Sequence, residues 1–90
     1  MESRTTERFR KSFDILSSKI KKDAKKVFQT WKSNHNHESL KFKKIQGKEN
    51  IYSVRIGLSY RALGIKDKNT MIWFWIGSHS EYDKLIENLK

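Results

Sequence analysis

Phe9, Phe13, Leu16, Ile20, Ala24, Val27, Phe28 and Trp31 recur at intervals of three and four, with charged side chains between them. That period puts the apolar positions on one side of helical structure and the charges on the other, so residues 7 to 33 are predicted to be helical. Ser17 and Ser18 interrupt the run and offer an N-cap. The stretch is therefore one rod or a bent pair, and because the stripe keeps phase through the serines, periodicity leaves both open. "KSNHNHES" ends it, since Asn34 and Asn36 compete with the backbone for hydrogen bonds and tolerate left-handed turns.

Beyond that point the period falls to two. Leu40 and Phe42 alternate with Lys41 and Lys43; after a turn in "QGKEN", Tyr52, Val54 and Ile56 alternate with Ser53 and Arg55, which predicts a hairpin. Gly57-Leu58-Ser59 gives a second turn, "YRALGI" a third strand, "KDKN" a third turn and "MIWFWI" a fourth strand. The last is apolar on both faces, so it should be covered on both sides, carry partners on both edges and form the centre of the fold. Gly77 is expected to let the chain turn sharply, and Ser80 to cap a short helix with Tyr82, Leu85, Ile86 and Leu89 as its apolar stripe. Arg4 to Thr6 fits a brief further strand. Helices, then an antiparallel meander, then a terminal helix describe one α+β two-layer domain over residues 1–90.

Length limits how that domain is held. A chain of 90 residues buries only about 60% of the surface its unfolded form exposes. Trp31, Trp73, Trp75 and the five phenylalanines must supply much of the core. There is no cysteine, so neither disulfides nor thiolate metal sites staple the fold. Met71 to Ile76, the longest apolar stretch, is too short to span a bilayer, and "MESRTTERFRK" lacks the apolar region of a secretory signal. A soluble cytoplasmic protein without a membrane partner is expected. Twenty Lys and Arg against ten Asp and Glu give a net charge of +10, which points to a polyanion or a strongly acidic protein as partner.

The predicted strands gather some of that charge. Arg55 and Arg61 flank the Gly57–Ser59 turn, and His79 follows the end of the fourth strand. Guanidiniums offer forked donors to phosphate oxygens and imidazole moves a proton near neutral pH, while Lys41, Lys43 and Lys44 add a basic wall. Such a set suits metal-free RNA cleavage: a base takes the 2'-hydroxyl proton, cations stabilise the phosphorane, and an acid protonates the leaving oxygen. Alternation places Arg61 with Leu63 and Ile65, and an arginine on an apolar face normally has an anion to meet. Arg55 also reads as an ordinary solvent-facing strand residue, His79 as a turn residue, and Tyr82 as a packed ring whose hydroxyl reaches the surface. His35 and His37 lack a third metal ligand beyond Glu38, and are expected at the rim of the basic wall. No Ser-His-Asp or Cys-His set, glycine-rich phosphate loop or paired carboxylates emerge, and no cofactor is expected.

Three segments, "RTTERFRKSF", "NHNHESLKFKKIQGKENIYSVRIGLSYRALGI" and "WFWIGSHSEYDKLI", together resemble the RelE/ParE superfamily of type II toxins, and its ParE-like branch in particular. The resemblance implies an N-terminal helical hairpin on a mostly antiparallel sheet of four to five strands with a short C-terminal helix, and a cognate acidic antitoxin. It implies an endoribonuclease that cuts translated mRNA on the ribosome. On that pattern Arg61, in "YRA", is the phosphate-stabilising arginine, and His79, in "IGSH", falls where relatives carry a basic residue or histidine. Arg55 follows a strand pattern widespread in the superfamily, Tyr82 lies near the C-terminal tyrosine some of these nucleases use, and Lys41, Lys43 and Lys44 match a basic strand. The expected function is thus a metal-free mRNA interferase. Two alternatives remain, a non-enzymatic gyrase inhibitor, as other superfamily members are, and a basic nucleic-acid-binding module.

Overall fold

The structure, a computed structural model, describes residues 1–89, the side chain of Leu89 excepted; Leu89 as a member of the terminal stripe thus lies outside the described side chains. Strand β1 (Glu2–Thr5) leads into helix α1 (Glu7–Asp14), which Thr6 caps by accepting a hydrogen bond from the Phe9 amide at 3.1 Å. The helical stretch is a bent pair: α2 (Ser18–Ser33) starts separately, with Ser17 accepting from the Ile20 amide at 3.3 Å. Phe9 and the half-buried Phe13 of α1, and Ala24, Val27, Phe28 and Trp31 of α2, present one apolar layer.

That layer rests on a five-stranded sheet. Its remaining strands are β2 (Lys43–Lys44), β3 (Ile51–Ile56), β4 (Tyr60–Asp67) and β5 (Thr70–Ser78), in the order β1-β5-β4-β3-β2. All neighbours are antiparallel except β1, which runs parallel to β5 and is tied to it by Trp73 Nε1 donating to Ser3 Oγ at 3.0 Å. The brief N-terminal strand thus lies slightly earlier than Arg4 to Thr6. β5 carries partners on both edges, as its two-faced apolar pattern requires, though β4 holds the middle of the sheet.

The register of β4 against β5 shifts between Leu63 and Gly64, where Leu63 faces Trp75 and Gly64 faces Trp73. This irregularity exchanges the parity of β5 part-way along: Met71 and Trp73 meet the helical layer, and so does Ile76, while Trp75 faces the opposite side. Gly64 makes the shift possible, because a Cβ there would lie 2.8 Å from both Met71 Sδ and Trp73 Cε3. On the opposite face, helix α3 (His79–Leu89) closes a second, smaller core of Ile45, Leu63 and Tyr82, with Trp75, Leu85 and Ile86 against it.

Three local expectations are corrected. Leu40 to Phe42 is not strand: His37 Nδ1 accepts from the Ser39 amide at 3.2 Å and starts a 3-10 turn at Glu38–Leu40, and Lys41 then takes a left-handed conformation (φ 47°). Leu40 still reaches the core by this route, and Phe42 stacks on Tyr52 with ring centroids 5.0 Å apart, so only Lys43 and Lys44 remain to pair with β3. Ser80 does not cap α3; Ser78 does, its Oγ accepting from the Glu81 amide at 3.2 Å while its own amide donates to Glu81 Oε1 at 3.0 Å, a reciprocal capping box. Gly77 is no turn but a strand residue facing Arg61, and it is small because the Trp75 ring lies over it: a Cβ would stand 2.7 Å from Trp75 Cζ2.

Candidate nucleic-acid interface

Arg61 leaves β4 on the face it shares with Leu63, opposite to the helical hairpin. Across the sheet it stands between Arg55 on β3 and Gly77 on β5. The guanidinium turns beneath α3, where its Cζ lies 5.1 Å from the centroid of the Tyr82 ring. The residue is half-buried, yet its Nε and Nη1 are buried and have no hydrogen-bond partner. Leaving such donors unsatisfied costs about 1–3 kcal/mol, more for charged groups.

Tyr82 is where the neighbours of Arg61 converge. Its ring is 6.3 Å from that of His79 and 6.4 Å from that of Trp75. It also lines, with Lys43, Lys44, Ile45, Gln46 and Ile86, a cavity of about 330 Å³ between the β2 edge and α3. His79 opens α3; its amide donates to the Ser59 carbonyl at 2.7 Å, which ties the helix start to the β3–β4 turn, and its Nδ1 lies 3.2 Å from Asp83 Oδ2. Glu81 is held below the usual carboxylate range, first by the Ser78 amide and then by the Ser78 hydroxyl, so the cap that aims His79 is strongest with Glu81 ionised.

The residues singled out from the sequence therefore fall into two groups. Arg61, His79, Tyr82, Lys43 and Lys44 surround α3 and the β2 edge on one face. Lys41, His35 and His37 line a separate cavity of about 280 Å³ with Asn36, Glu38 and Phe42, where the His35 ring sits 6.0 Å from both Trp31 and Phe42. Arg55 pairs with Arg61 through the backbone, but its Nε donates to the Gly57 carbonyl at 2.9 Å, and it lines a groove of about 430 Å³ with Val27, Glu38, Ser39, Lys41, Gly57 and Leu58. The single basic wall is thus divided at Lys41, whose left-handed turn sends it away from Lys43 and Lys44. Asp83, Glu81, Gln46 and Ile86 were not anticipated at the site. Two of them are legible in hindsight, Ser78-x-x-Glu81 as a capping box and His79 with Asp83 as an i,i+4 pair. Among the described residues no three His, Asp or Glu side chains gather as a metal site.

A small basic protein thus carries an unpaired arginine under its terminal helix, with lysines at the neighbouring sheet edge. The model of the ParE-like toxin domain matches residues 18–84, and the chain belongs to that family, a toxin class of type II toxin-antitoxin systems. Its fold is similar to the RelE toxin in a RelB-RelE antitoxin-toxin complex from Methanococcus jannaschii, with 27% identity, 90% of this chain and 96% of that one covered, and a TM-score of 0.69. The intact Escherichia coli RelBE complex gives 19% identity over 84% and 93% of the two chains with a TM-score of 0.67, and E. coli YafQ 8% identity over 90% and 96% with a TM-score of 0.72. Sequence comparison with curated proteins finds no match.

Proposed function

We propose that this toxin is a metal-free endoribonuclease that cuts translated mRNA on the ribosome and is neutralised by a cognate acidic antitoxin. The observation that carries the reading is Arg61, whose buried Nε and Nη1 have no partner within the fold. A scissile phosphate supplies acceptor oxygens of the kind they lack, and charge that grows in the phosphorane. His79, beside Tyr82, takes or gives the proton, and Lys43 and Lys44 across the cleft hold the flanking RNA backbone. Lys41, His35, His37 and Arg55 extend the contact over the neighbouring grooves. The antitoxin reading is supported by the +10 charge and by the structural neighbours, which include antitoxin-toxin complexes.

The test is brief expression in growing bacteria with mapping of new 5' ends across the transcriptome, for the wild type and for Arg61→Ala and His79→Ala. New ends at fixed codon positions in translated messages, lost in both variants while each remains folded, are expected. Growth arrest with messages intact and gyrase-DNA complexes trapped would overturn the nuclease in favour of gyrase inhibition. Full cleavage by folded Arg61→Ala would remove the arginine from the site.

A further inference from the structure

Asp83 is drawn into the site by helix geometry alone. It lies one turn beyond His79 on α3, and its Oδ2 is 3.2 Å from Nδ1 of the imidazole. The other ring nitrogen, Nε2, has no bond within the protein among the described residues. The His79 backbone is held by its amide hydrogen bond to the Ser59 carbonyl and by the Ser78–Glu81 box that starts the helix. Tyr82 stands between this pair and Arg61, with one neighbour 6.3 Å and the other 5.1 Å from its ring.

We propose that Asp83 is a positioning residue that holds the proton of neutral His79 on Nδ1 and leaves Nε2 as the proton acceptor of the reaction. The inference rests on the nuclease reading and assigns the direction of proton transfer within it. A carboxylate beside one imidazole nitrogen favours the tautomer protonated there and favours the imidazolium once it forms, which is how an acid residue supports a histidine base without exchanging a proton itself. In the cleavage step the 2'-hydroxyl proton passes to Nε2, the 2'-oxygen bonds to phosphorus, and the bond to the 5'-oxygen breaks. A water molecule protonates that leaving oxygen, and the imidazolium returns its proton to the resulting hydroxide. The products are a 2',3'-cyclic phosphate and a 5'-hydroxyl, with no atom or charge unaccounted for. Both side chains are at least half exposed, 50% and 62%, so the coupling is weaker than in a buried pair.

Two readouts separate this role from a structural one. Nitrogen-15 NMR of the His79 ring, at a pH where it is neutral, should show the proton on Nδ1 in the wild type and a shift towards the Nε2-protonated tautomer in Asp83→Asn. Single-turnover cleavage of ribosome-bound mRNA should fall roughly 10-fold to 100-fold in Asp83→Asn, less than for the buried aspartate of a protease triad, with the concentration dependence of binding unchanged and with recovery in Asp83→Glu. A wild-type ring protonated on Nε2, or a tautomer indifferent to Asp83→Asn, overturns the inference. So does the normal tautomer shift accompanied by undiminished cleavage. If the wild type cleaves nothing while the NMR shift occurs, the nuclease reading has failed and the pair survives as a helix contact only, which distinguishes the two failures.

Discussion

An arginine with buried, unpartnered donors is a liability unless something else gains from it. Replacing Arg61 with Met keeps the length and the apolar stem but removes the unpaired Nε and Nη1, at the loss of the contact with Tyr82. The removed penalty is about 1–3 kcal/mol and the cation–π contact about 0.5–2 kcal/mol, so stability in denaturant should change by between about −1 and +2.5 kcal/mol while toxicity is lost. A loss of clearly more than about 1 kcal/mol in Arg61→Met would mean that the guanidinium is a fold element. Gly64 makes the opposite kind of claim. Alanine there meets Met71 and Trp73 at 2.8 Å, and overpacking of this kind costs about 1–3 kcal/mol, to be read as a reduced midpoint with toxicity retained wherever the variant folds. Arg61 was legible from alternation because it is the charged member of an apolar face. Gly64 was not, since the shift it permits depends on which β5 residue lies opposite.

At the level of elements, the helical stripe, the meander and the two-faced fourth strand followed from period alone, because each buries a face whose spacing is fixed by its own backbone. The failures sit where a side chain captures the main chain. His37 starts a turn in a segment whose alternation read as strand, and Ser78 captures α3 two residues before Ser80. Each is a contest between short-range hydrogen bonds that the pattern of apolar positions does not contain. The Ser78–Glu81 box has a pH signature. Glu81 has a depressed folded pKa, so its contribution is fully present above the ordinary glutamate range, near 4.5, and is lost as pH falls through the lower folded value. Glu81→Gln should therefore flatten the acid limb of stability below about pH 4.5 relative to the wild type. Ser78→Ala should cost about 0.5–2 kcal/mol near neutral pH and remove the same limb, as followed by circular dichroism in acid titrations. An acid limb identical in all three proteins would leave Glu81 without a stabilising role.

For the molecule as a whole, the question is whether the +10 charge acts as a diffuse field or is focused at one place. A field attracts every anion in proportion to charge and is screened by salt, whereas a site with waiting donors saturates. No described helix is long and apolar enough to cross a membrane, and the division of the basic residues at Lys41 leaves Lys43 and Lys44 at the α3 cleft, with the unpaired N–H groups of Arg61 beside Tyr82; on the proposed reading this is where phosphate binds. Inorganic phosphate should then raise the thermal midpoint above that in chloride of equal ionic strength, and the increment should saturate. Linkage sets the size: at a hundred times the dissociation constant, a ligand bound only by the folded state adds about 2.7 kcal/mol. Arg61→Met should abolish the saturating part, whereas Lys22→Met, which removes one charge from the exposed flank of α2, should leave it in place. If both variants reduce the response equally, the anion reads net charge and not the cleft, and Arg61 needs another reason for its unpaired nitrogens.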